Sequence, residues 1–153
     1  MNLTKNFTLS EMTKSETALR LNIENEPDEQ QLAALKVTAE KLCQPVRDRF
    51  GPTKINSALR TLAVNRAVGS SDNSHHVRGM AVDMEVPGVA NAELAQWIVD
   101  NLEFTQVILE HYTPGTPDSG WVHASYVPED LRKQVLTATK RDGKTIYLPG
   151  LVA

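Results

Sequence analysis

Apolar positions recur along the chain at two spacings, and the changes from one to the other lay out the elements. Thr8-Leu9-Ser10-Glu11 has the form of a capping box, in which a threonine hydroxyl and a glutamate carboxylate satisfy opposite orphan amides. It predicts a short helix running to about Arg20. A longer helix follows: Pro27 suits its first turn, Asp28 and Glu29 suit the positive end of its dipole, and Leu32, Leu35, Ala39, Leu42 and Val46 return at helical spacing. Pro45 lacks an N–H and predicts a kink or an end to the regular part. Gly51-Pro52 closes the segment, and Lys54 to Ser57 has the length of a short buried strand.

From Thr61 to Val68 the pattern is weakly helical, with Gly69 as a stop and a polar loop, Gly69 to Ser74, behind it. Met80, Val82, Met84 and Val86 then alternate with Ala81, Asp83 and Glu85, which predicts a strand whose second face presents acids. Asn91 can cap a helix carrying Leu94, Ala95, Ile98 and Leu102, and strands follow at Thr105 to Glu110 and Trp121 to Ser125, joined by a Pro/Gly-rich turn. Asp142-Gly143 between Gln134–Lys140 and Lys144–Leu148 signals a hairpin. There are no repeats and no linker, so one domain over residues 1–153 is the economical expectation.

Composition narrows the partners. With 41% hydrophobic and 23% charged residues and a formal charge of −3, the chain is expected to fold throughout, and it has no broad cationic surface for nucleic acid or anionic lipid. The single Cys43 sits in the helical apolar pattern, as a small buried side chain does. The acid run Glu24 to Glu29 reads as a solvated helix start, and Trp97 and Trp121 as core or pocket wall. Neither a signal-peptide core nor a bilayer-spanning stretch is visible, so the expectation is a chain made in the cytoplasm that does not insert in a membrane.

The candidate chemistry lies in the histidines, His75, His76, His111 and His123. A catalytic zinc generally takes three ligands from His, Asp and Glu and keeps a fourth position for water. A tight turn at Gly79 can bring His76 back beside the start of the strand from which Asp83 projects, and His123 can reach them from across the sheet. Ser74-His75-His76-Val77-Arg78-Gly79-Met80-Ala81-Val82-Asp83 reproduces the pattern S-x-H-x-x-G-x-A-x-D, and Trp121-Val122-His123 suits a last ligand. Together these segments resemble the zinc D-alanyl-D-alanine peptidase family, more closely its compact branch among phage lytic proteins, over Phe7 to about Leu148.

The resemblance implies Zn2+ held by His76, Asp83 and His123, with His75 as a neighbour. Ile55 to Arg60 followed by Asn65 resembles the family's substrate-binding segment, so Arg60 is expected to grip a carboxylate or carbonyl through a fork of hydrogen bonds, with Ser74 assisting. Many family members carry an acid three positions before the last histidine ligand, and here that position is Gly120. Glu110, at the end of an apolar strand, is the candidate base. Asp118 and His111 are alternatives, and a role for Glu110 in orienting a histidine stays open.

The expected architecture is α+β, a small antiparallel sheet with the zinc site on one face and helices on the other, as in Hedgehog and D,D-peptidase domains. The expected activity is hydrolysis of peptide bonds in bacterial peptidoglycan by a monomeric, endolysin-type endopeptidase. It would reach the wall by holin-type release or as a virion component. A D-alanyl-D-alanine carboxypeptidase and a non-catalytic zinc-binding virion module are the alternatives.

Overall fold

The computed structural model of the chain describes residues 1–152. Six strands, β1 (Lys54–Ser57), β2 (Ala81–Glu85), β3 (Gln106–Glu110), β4 (Trp121–Ser125), β5 (Gln134–Arg141) and β6 (Lys144–Pro149), form one sheet in the order β1-β2-β4-β3-β5-β6. The helices are α1 (Leu9–Thr13), α2 (Glu16–Leu21), α3 (Glu29–Thr38), α4 (Gln44–Phe50), α5 (Leu62–Ala67) and α6 (Asn91–Asn101). The fold is α+β as expected, but the sheet is mixed: β5 runs parallel to β3, while every other pairing is antiparallel. The cause is topological. β2 and β3 already occupy both sides of β4, so β5, which reverses direction after β4, adds to the free edge of β3 and lies parallel to it.

Alternation in β2, β3 and β4 sends one set of side chains into the core and the other to the opposite face. Val82, Met84, Val107, Leu109, Val122 and Ala124 belong to the buried cluster that also takes Leu35 and Leu42 from the helices. Fully burying one such leucine contributes about 1.5–3 kcal/mol. Cys43 lies in the same cluster, and burial pushes its thiol well above the ordinary value, which leaves it unreactive. Among the described residues, no helix is long and apolar enough to cross a membrane.

Five local expectations are corrected or refined. The first predicted helix is two helices, because Ser15 provides a second cap, its hydroxyl accepting the Ala18 N–H at 3.1 Å, and the chain turns at Lys14. The second helix starts later than expected: Asp28 is its cap, in a reciprocal box with Gln31, and Pro27 lies outside. The regular α-helix ends ahead of Pro45, as expected, but the helical run continues through it. A π-helical turn, Ala39–Cys43, widens the backbone before the proline, which then sits in the first turn of α4, where no N–H is required of it. Lys54–Ser57 is an edge strand with alternating exposure, not a buried one. Asn91 begins α6 but does not cap it: its amide donates to the Ser119 and Gly120 carbonyls at 3.0 and 3.2 Å and anchors the turn before β4.

Helix α3 grips the loop that leads into β2. Gln31 Nε2 donates to the Val77 carbonyl at 2.8 Å, and Thr38 Oγ1 donates to the Gly79 carbonyl at 2.8 Å. Gly79 itself has φ +73°, and a Cβ there would stand 2.8 Å from the Gln31 carbonyl oxygen. We expect Gly79→Ala to lose about 1–2 kcal/mol from the left-handed backbone alone, and more from the collision with α3. Urea unfolding, read as a lowered midpoint at unchanged slope, measures it.

Candidate metal centre

His76, Asp83 and His123 gather on the sheet face opposite the core, their candidate ligand atoms all within 4.8 Å of one another. Asp83 on β2 and His123 on β4 are direct cross-strand partners, so the antiparallel ladder sets them side by side. His76 arrives from the loop held by α3, and Asp83 Oδ1 stands 3.0 Å from His123 Nδ1 and 3.3 Å from His76 Nε2. Gly79 thus makes the turn expected of it.

The tautomer of His76 follows from its other nitrogen. Nδ1 lies 2.7 Å from the Ala58 carbonyl oxygen, which can only accept, so Nδ1 carries the proton and donates it. Nε2 of the neutral ring is then a bare lone pair, buried without a hydrogen-bond partner and facing a carboxylate. Its spacing to Asp83 is close, but the pair lacks hydrogen-bond geometry, and only a proton or a cation reconciles the two lone pairs.

The donor set fits zinc. Ligands around a tetrahedral ion at bond lengths of roughly 2.0–2.1 Å stand about 3.3–3.4 Å apart, close to the 3.3 and 3.0 Å that separate Asp83 Oδ1 from the His76 and His123 nitrogens. The Ala58 carbonyl gives His76 the outer hydrogen bond that typically orients a ligating histidine. Burial alone would raise the Asp83 carboxyl, but the imidazoles of His76 and His123, when cationic, overcome it and hold the group well below the usual carboxylate range.

The remaining site residues line one cleft of about 610 Å³ with these three. Arg60 follows β1, its backbone N–H donating to the His76 carbonyl at 3.1 Å, and its Nε is buried with no partner. Burial lowers its pKa, while Asp83 and Glu110 oppose that shift, so its charge is exerted toward both carboxylates. Ser74 lines the cleft and its hydroxyl accepts the His76 N–H at 3.2 Å, so it braces the loop from inside the site. His75 also lines the cleft, outside the three-residue cluster.

Glu110 ends β3 opposite Trp121, two residues from Ile108, the partner of His123. Burial raises its pKa, as does Asp83, and His123, Arg60 and Trp121 pull it down. Trp121 Nε1 acts on the carboxyl electrostatically yet makes no hydrogen bond of normal geometry. The two alternative bases lie elsewhere: Asp118 lines a separate cavity with Glu85 and Pro87, and His111 packs against Trp121, ring centroids 5.5 Å apart. Gly120 has φ +68°, and a Cβ there would fall 1.9 Å from the Glu110 carbonyl oxygen. No side chain fits this backbone, so an acid at the position is excluded sterically and Glu110 is the carboxylate nearest in the ladder.

A family model described as peptidase M15 matches residues 5–124. The chain belongs to the peptidase M15 family. The match takes in every residue of the cleft named so far, and peptidases of the M15 family are zinc-dependent. It ends at Ala124, short of the expected limit near Leu148, so the β5–β6 hairpin lies beyond it. No curated protein matches the chain.

One contributor to this M15 site was missed. Asn25, expected in a solvated run, is buried: its amide donates to the Thr13 and Leu59 carbonyls at 2.7 and 2.9 Å, and its oxygen accepts the Thr61 N–H at 2.9 Å. It therefore fixes the backbone on both sides of Arg60. The sequence signal was only that an amide, not an acid, interrupts the run at that position.

A pH dependence follows for chelator-treated protein. A carboxyl with a depressed folded-state pKa contributes stability that is complete above its unfolded value, about 4, and is lost as pH falls through the folded value. Asp83→Asn removes this contribution, so the variant should lose less stability than wild type between about pH 5 and pH 2. Urea midpoints across that range measure the difference, and parallel acid limbs would refute the assigned electrostatics.

Proposed function

We propose that the chain is a zinc-dependent peptidase that hydrolyses peptide bonds in bacterial peptidoglycan stem peptides or cross-links, acting as an endolysin-type endopeptidase in one catalytic domain. The observation that carries the reading is the convergence of His76 Nε2, Asp83 Oδ1 and His123 Nδ1 in a cleft that also holds Arg60 and Glu110. In this proposal the face bearing the three donors is the zinc face of a Hedgehog/D,D-peptidase-like arrangement. The protein works as a monomer and meets the wall after holin-type release or as part of a virion.

Zinc, when bound, supplies a Lewis acid that polarises the scissile carbonyl and eases loss of a proton from water. The protein supplies the rest. His76 offers its Nε2 lone pair because Nδ1–H is committed to Ala58. Glu110 takes the proton from the attacking water and returns it to the departing amine, a task suited to a carboxyl that burial raises toward neutrality. Arg60 directs its unpaired guanidinium N–H to a substrate carboxylate or carbonyl, and Ser74 keeps the loop bearing His76 in place while lining the cleft. A purely structural metal site needs no raised carboxyl beside the metal donors, so Glu110 favours turnover over the non-catalytic alternative.

Purified peptidoglycan incubated with the protein, with and without chelator, tests the reading. Mass spectrometry should find new amine termini on stem or cross-link peptides, absent with chelator. Release of terminal D-alanine alone would turn the assignment to a carboxypeptidase, and no release by zinc-loaded protein would defeat it.

Metal analysis should give about one zinc per chain in wild type and little in His76→Ala or His123→Ala, as expected for a three-ligand site. Glu110→Gln should keep its zinc and lose roughly a hundred- to ten-thousand-fold in rate. If Glu110 only orients a histidine, the same variant would instead bind zinc weakly and recover with excess metal. Arg60→Ala should keep both zinc and fold while losing most hydrolysis.

A further inference from the structure

The cleft extends well beyond the metal donors. Its wall away from Arg60 is built by β3 and by the β5–β6 hairpin, which stands outside the family match. The register places Tyr147 of β6, Ala138 of β5 and Glu110 of β3 in one row across the sheet, on the face that carries Asp83 and His123. Ala138 is buried and presents only a methyl group between the other two, whereas Tyr147 is 56% exposed and lines the cleft. Ile146 and Leu148 are half-buried and alternate with it along β6, so Tyr147 is the position of this strand that turns an aromatic ring to the cleft.

Gln106 and Ile108 complete this wall, and Gln106 is tied to Gln134 by an amide hydrogen bond of 2.9 Å. Beyond Glu110 the wall therefore carries no charge: the Ala138 methyl and Tyr147 continue its row, and Ile108 and Gln106 line it further back along β3. The opposite side of the cleft offers the charged guanidinium of Arg60. Two strand spacings separate Tyr147 from Glu110, about 10 Å, and an extended peptide covers that distance in roughly three residues.

We infer that Tyr147 is a specificity-determining residue: past the Ala138 methyl it forms an outer subsite for an uncharged stretch of extended peptide about three residues from the bond being cut. The inference rests on the peptidase reading and deepens it, since such a subsite selects substrates that extend well past the scissile bond over short terminal fragments. Tyr147 touches substrate only at a distance from the reacting atoms, so it governs KM and leaves kcat alone.

The test uses zinc-loaded full chain and two synthetic substrates, a pentapeptide stem and a dipeptide with the same scissile bond. Tyr147→Ala should raise KM for the pentapeptide about tenfold, the scale of one lost aromatic anchor, with kcat within a few-fold and the dipeptide unaffected. Tyr147→Phe, which keeps the ring, should behave as wild type. In a Glu110→Gln background, where turnover is not needed, calorimetry should show the same tenfold weakening of pentapeptide binding. Unchanged pentapeptide KM and binding in Tyr147→Ala, while wild type hydrolyses the peptide, would overturn the subsite and leave the peptidase reading standing. Equal losses on both substrates would also overturn it, as a general disturbance of the cleft. Wild type that neither cleaves nor binds the pentapeptide would bring down both.

Discussion

The buried Nε2 of His76 and the Asp83 carboxylate are held 3.3 Å apart, and with the His76 proton committed to Ala58 the two lone pairs repel unless a proton or a cation stands between them. The surroundings of His76, Asp83 and His123 are organised by that constraint. Ala58 takes the only proton His76 can spare, the β2–β4 ladder fixes His123 against Asp83, and α3 holds the loop so that His76 cannot withdraw. A polar cluster this dry is costly by itself. The fold keeps it because the Ala58 carbonyl and α3 hold His76 and its loop, while the β2–β4 ladder holds Asp83 against His123.

Glu110 and Gly120 are opposite sides of one hairpin end, and their roles are linked by space. The left-handed Gly120 brings its backbone against the Glu110 carbonyl, which removes room for any side chain at 120 and sets the β3 terminus where a carboxyl can enter the cleft. His111, also at positive φ, and Asn91, which holds the Ser119 and Gly120 carbonyls, shape the same corner. The acid is thus displaced from one strand of the hairpin to the other, and the cleft still contains one.

Much of this was legible in the sequence, for reasons that can be traced. Asp83 was readable because strict alternation from Met80 to Val86 puts it on the polar face, and His76 because Gly79 makes a turn of the right size. The strands Trp121–Ser125 and Lys54–Ser57 and the Asp142-Gly143 hairpin lay where their local patterns placed them. What was missed depends on distant partners. Asn91 looks like a cap until the Ser119 and Gly120 carbonyls come near it, and Asn25 looks solvated until Thr13, Leu59 and Thr61 surround it. The parallel β3–β5 pairing is a property of which edges remain free, and no local pattern records that.

Asp83 and His123 are forty residues apart in sequence and neighbours only through the β2–β4 ladder. Closing a loop of that length is an entropic cost met before any contact rewards it. The intervening β3–β4 hairpin forms by a shorter closure, so β2 is expected to join a pre-existing pair. The donor set is then incomplete in every species that lacks this last docking event, and tight capture of a metal ion during refolding becomes a clock for closure of the central sheet.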